Sequence, residues 1–174
     1  DLAAMQDVAE IIPRCIAAIG APTCLVNNAS VFADDRIETL DPRLWDEQML
    51  VNLKAPVFLA QSFARHLPAA ARGAIINIVD QRVWRPSPAF FSYGITKSAL
   101  YAATRMLAQG LAPRIRVNGI GPGPVLKSVH QTDAEFDAEW QETLLRRPTS
   151  PAEIAAAVAF ILSQPSMTGQ MIAL

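Results

Sequence analysis

Tyr93 and Lys97 are four residues apart, the spacing that puts two side chains on one face of a helix. A phenol titrating near 10 exchanges protons poorly at neutral pH, and an ammonium beside it favours the phenolate, so the pair suits general acid–base work. Asp80 closes an apolar run thirteen residues earlier. Its carboxyl can accept from an N–H and relay a proton to a ring nitrogen. The alternatives are a surface tyrosine beside a solvated lysine, and an aspartate that only caps a loop. Cys15 and Cys24 fall in apolar helical and strand-like runs without metal-ligand spacing, and both read as reduced core thiols. No metal site is implied.

These residues need elements to hold them. Leu2, Met5, Val8, Ile11, Ile12, Cys15, Ile16 and Ile19 recur at helical spacing up to a glycine stop at Gly20, with Pro13 inside the pattern as a source of a kink. Thr23 to Asn27 is a short strand. Asp41 and Pro42 open a long helix running to about His66. GAIINIVD at 73–80 has the nearly continuous apolar character of a strand covered on both faces. Another helix runs from about Ser92 to Leu111, a strand spans Arg116 to Ile120, and GPGP at 121–124 breaks the chain. Ser150, Pro151 and Glu153 form a capping box that starts a helix to about Leu162, and Gly169 to Leu174 is a last strand. Strands alternating with helices predict an α/β fold: a single domain with a doubly wound parallel sheet, entered partway through.

Composition narrows the partners. With 51% hydrophobic and 18% charged residues, the chain of 174 can bury the core of one domain. A net charge of −1 offers neither a basic surface for nucleic acid nor a polybasic stretch for lipid, and no apolar run reaches the ~18 residues of a membrane span. The expected partner is a small molecule, and the expected setting the cytoplasm.

The order of motifs then carries a resemblance. LVNNAS at 25–30, VNL at 51–53, the Tyr93/Lys97 pair, RVNGI at 116–120 and the turn GPG at 121–123 stand in the register of the short-chain dehydrogenase/reductase family across essentially the whole chain. The resemblance implies a Rossmann-type oxidoreductase with Tyr93 as proton donor. Lys97 would hold the nicotinamide ribose and tune the tyrosine, and Asn52 would belong to the proton relay. It places the cofactor against Asp1, Leu2, Asn28, Ala29, Ser30, Tyr93, Lys97, Pro122, Gly123 and Val125. Pro56 has no N–H to offer the carbonyl of Asn52, which leaves that carbonyl open to a relay water unless the proline merely kinks a packed helix. The family's N-terminal glycine-rich, phosphate-binding βαβ units and its extreme C-terminus are not found, so 1–174 reads as the C-terminal portion of one such domain. By resemblance the long helices also mediate a homotetramer.

Where the family places a serine thirteen residues before the tyrosine, this chain has Asp80. That substitution, together with NNAS and GIGPG, is similar to the pteridine reductase and dihydromonapterin reductase subgroup. It implies NADPH as cofactor, with NADH as the alternative, and a dihydropterin or dihydrofolate-type substrate bound by Phe32, Asp80, Trp84 and Tyr93, with Phe90 and Phe91 at the rim. Lys127 replaces a threonine common in the family, which removes a hydroxyl contact to the cofactor. Two other readings stand: a carbonyl or alcohol oxidoreductase acting on another small substrate, and a non-catalytic truncated domain.

Overall fold

A computed structural model describes residues 1–129 and 131–174. Four strands, β1 (Cys24–Asn27), β2 (Gly73–Ile78), β3 (Ile115–Gly121) and β4 (Met171–Ala173), pair in chain order and all in parallel. The register sets Asn27 opposite Asn77, Asn77 opposite Gly119, and Ile120 opposite Ile172. Parallel neighbours need crossovers, and helices supply them on both faces of the sheet. This is the doubly wound α/β architecture expected from the sequence.

The alternation of strand side chains divides the core in two. Leu25, Ile75, Ile115 and Val117 face one layer, built from α1 (Met5–Ile19), α3 (Ala55–His66) and α4 (Phe91–Leu111). Ile76 and Ile120 face the other, packing on Ala157 and Ile161 of α6 (Pro151–Ser163). α1 keeps Pro13 inside it and stops at Gly20, whose φ of 90° is open to a residue without Cβ. The capping box of Ser150 and Glu153 forms as expected.

Two features depart from the sequence reading. The helix expected over 42–66 is α2 (Pro42–Met49), a π-helical stretch at Leu50–Lys54, and then α3; within the widened turn the N–H of Ala55 bonds the carbonyl of Leu50. A further helix, α5 (Asp133–Gln141), has a capping box from Thr132 and Glu135 and buries none of its residues. It was missed because it lacks an apolar stripe. Cys24 also corrects an expectation: it is exposed and Cys15 only partly buried. Cys24 and Val26 point to the face of β1 that α6 does not reach, so neither joins a core. No helix among the described residues is long and apolar enough to cross a membrane.

Candidate active site

Open parallel sheets hold ligands at the carboxyl ends of their strands, and the chemistry-bearing residues gather there. Asn28, Ser30 and Phe32 follow β1, Asp80 follows β2, and Pro122, Gly123 and Val125 follow β3. With Tyr93 and Lys97 of α4 they line one cleft of about 310 Å³. A Cβ at Gly121, the last residue of β3, would stand 3.3 Å from the main-chain carbon of Asp80, so glycine lets the two strand ends approach.

The Tyr93 hydroxyl donates to Asp80 Oδ2 at 3.0 Å, while Asp80 Oδ1 accepts from the amide of Arg82 at 2.7 Å and so caps the single turn Gln81–Trp84. One oxygen of this carboxylate thus meets Tyr93 and the other caps the loop. Lys97 is 3% exposed; its Nζ donates to the carbonyl of Ile78 at 2.9 Å and lies 5.5 Å from the centre of the Tyr93 ring. Burial lowers the lysine to about 8, against the opposing pull of Asp80. Tyr93 is pushed far above its ordinary value, first by burial, then by the charge of Asp80 and the hydrogen bond to it, with Arg82 opposing. Lys97 is not among the causes of the tyrosine shift: its Nζ donates to Ile78, and the charge beside the hydroxyl is that of Asp80. With these causes the phenol keeps its proton at neutral pH.

Asn52 lies behind the cleft, 1% exposed. Its Oδ1 accepts from the Val31 amide at 2.7 Å and from Ser30 Oγ at 3.0 Å, and its Nδ2 donates to the Val31 carbonyl at 2.8 Å. The side chain therefore braces the loop after β1, and its Nδ2 also donates to Thr96 Oγ1 of α4 at 3.3 Å. Asn27 performs similar bracing one strand over, donating to Asn77, which donates in turn to Thr104.

Phe32 stacks on Phe90 at 4.3 Å and 13° and meets Tyr93 edge-on at 4.8 Å and 83°; the Arg82 guanidinium lies 5.5 Å from the Phe90 ring centre. The rim thus includes Phe90, as the sequence indicated. Trp84, 57% exposed, is not brought into the cleft, nor are Asp1, Leu2 or Ala29; Leu2 packs against the α1 core. Sequence reasoning missed Arg82, Gln131, Phe136 and Glu139, which line the outer side. Arg82 pairs with Glu139 at 2.7 Å, and Gln131 donates to the same carboxylate at 2.7 Å, which ties α5 to the cleft. Lys127 turns outward to Asp133 at 2.6 Å.

The sequence and the fold are similar to those of known proteins. The profile of a family described as Enoyl-(Acyl carrier protein) reductase matches residues 1–174. A Caenorhabditis elegans protein named dehydrogenase/reductase SDR family member 4 is 33% identical over 98% of this chain and 70% of its own length. The chain belongs to the short-chain dehydrogenase/reductase family. An uncharacterised oxidoreductase of Bacillus subtilis is 35% identical, with 88% of this chain and 63% of that protein covered, so the chain spans roughly two thirds of the curated relatives it matches. Among solved structures, the Brucella canis FolM alternative dihydrofolate reductase 1, complexed with NADP, superposes with a TM-score of 0.96 at 45% identity, covering all of this chain and 69% of that one.

Proposed function

We propose that the protein is an NADPH-dependent reductase of pterins, acting on a dihydropterin or dihydrofolate-type ring. The observation that carries this reading is the Tyr93 hydroxyl resting on Asp80 Oδ2 at 3.0 Å, in a cleft walled by Phe32 and Phe90. The likeness to the Brucella enzyme, whose solved form is complexed with NADP, supports it.

The residues present fit a nicotinamide cofactor. The cleft lies across the ends of three parallel strands, lined by Asn28 and Ser30 after β1, Pro122, Gly123 and Val125 after β3, and Lys97 of α4. Bound there, the cofactor supplies a hydride. The chain's own part is to position and to move protons. Lys97 offers its ammonium to ribose hydroxyls. Tyr93 holds a proton that its surroundings keep on the oxygen and delivers it to a ring nitrogen of the substrate. Asp80, freed from the phenol at that moment, accepts from the amino-pyrimidine edge. Asn52 fixes the Ser30–Phe32 stretch, and its carbonyl remains the proposed seat of a relay water. In the assembly, α3 and α4 are the proposed contact surfaces; Phe58 and Met106 are exposed on them.

Side-by-side specificity constants on a dihydropterin and a panel of ketones test the proposal in the full-length protein. The dihydropterin should be preferred, and Asp80→Ser should narrow the ratio by roughly tenfold or more, since an unmatched buried polar group costs ~1 to 3 kcal/mol. Tyr93→Phe should lower kcat by about 100-fold or more while the cofactor KM stays within a few-fold. Ketones used as well as the dihydropterin, with the ratio unchanged in Asp80→Ser, would leave a general carbonyl reductase.

A further inference from the structure

Helix α4 carries both Tyr93 and Lys97, yet the side chain of its own N-cap offers nothing to the amides of its first turn, and only the Phe90 carbonyl accepts, from Gly94 at 2.8 Å. The N-cap is Phe90, in the left-handed region at φ 54° and ψ 50°, with no side-chain hydrogen bond to the helix. Orphan N–H groups at a buried helix start need acceptors from elsewhere. Here Asp35, 3% exposed and distant in sequence, supplies them: its carbonyl accepts from the Phe91 amide at 3.2 Å and its Oδ1 from the Ser92 amide at 3.0 Å. Its Oδ2 accepts from the Ser92 hydroxyl, which accepts in turn from Gln48 Nε2 of α2. Three elements therefore meet at Ser92, the residue preceding Tyr93.

Asp35 also ends the stretch that bears Phe32. That stretch is pinned once at Val31 by both polar atoms of the Asn52 amide, and again at Asp35. Phe32, between the pins, meets Tyr93 at 4.8 Å. We infer that Asp35 is a positioning residue: by capping α4 from outside the helix, it fixes the aromatic wall at Phe32 and Phe90 relative to the Tyr93 hydroxyl, and so sets substrate binding. A carboxylate suits the place because it takes two donors at once and a negative charge is favoured at a helix start. A turn with a local serine or aspartate cap would hold α4 equally well but would leave the Phe32 stretch loose.

The inference rests on this cleft being the substrate site and not on the substrate being a pterin. Steady-state constants are therefore measured with whichever of a dihydropterin and a ketone the wild-type protein turns over faster. In Asp35→Ala, the substrate KM should rise about tenfold or more, as a displaced wall implies, while the NADPH KM stays within about threefold. Asp35→Asn should return the substrate KM to within about threefold of wild type. Its amide oxygen still serves the Ser92 N–H, and a turned Gln48 side chain brings Oε1, which has no partner among the described residues, to the Ser92 hydroxyl. Should Asp35→Ala not fold, Ser92→Ala removes only the hydroxyl contacts and should still raise the substrate KM several-fold. A folded Asp35→Ala protein with an unchanged substrate KM, both KM values rising in parallel, or Ser92→Ala without effect would each overturn the assignment.

Discussion

Lys97 is a buried amine held near pH 8, and that number has consequences in two directions. The unfolded chain keeps the proton up to its ordinary 10.5, so between about 8 and 10.5 the unfolded state binds more protons and folding becomes more favourable as pH rises. Function runs the other way. The ammonium is present below about 8 and lost above it, so kcat/KM for NADPH should fall roughly tenfold per pH unit beyond that point, the profile of a single essential acid in the free enzyme. A profile flat to pH 10 would show that the charge is not used. At this scale the sequence was most informative where spacing carries meaning. Tyr93 and Lys97 share a helix face, and Asp80 ends a strand, so their convergence follows from periodicity and chain order. Asp35 was illegible for the opposite reason: beside Asp34 in a polar loop it looks like a solvated pair. The available signal was indirect, namely an α4 start at Phe90–Phe91 with no capping residue of its own.

Among the elements, α2, the π-helical stretch and α3 were read as one helix, because apolar spacing cannot distinguish a widened turn from a regular one. Pro56 marked the place but not the form. α5 was invisible to hydrophobic pattern, although Thr132 and Glu135 carried the capping-box signature that betrays a helix start. Its polarity has a functional meaning. With no buried residue of its own, α5 is held at the cleft by Arg82 and Gln131 on Glu139, while Phe136 and Glu139 line the site. Glu139→Gln keeps a hydrogen-bonding side chain but removes the ion pair. Both partners are about one-third exposed, so the stability change should stay under ~1 kcal/mol in a thermal melt. The substrate KM should nonetheless rise several-fold, because the outer wall loses its tether; an unchanged KM would show that α5 is held by other contacts.

In the molecule as a whole, the described residues form two core clusters, one on each face of the sheet, and stability should rest on their enclosed members. Ile75 is fully enclosed between β2 and the α1–α3–α4 layer, and Ile75→Ala should cost about 2 to 5 kcal/mol in denaturant unfolding. The parallel order of the strands bears on something other than stability. Cys24 pairs with Ala74, Gly73 with Ile115 and Gly119 with Met171, so no strand finds its neighbour within a hairpin. A nascent chain emerging at roughly 5 to 20 residues per second presents Gly73–Ile78 to β1, and Met171–Ala173 to β3, only several seconds after each of those strands. Throughout that interval, the strand edges awaiting β2 and β4 are open to other chains. The yield of soluble protein on expression should therefore respond more to growth temperature and chaperone supply than to small changes in the stability of the finished fold.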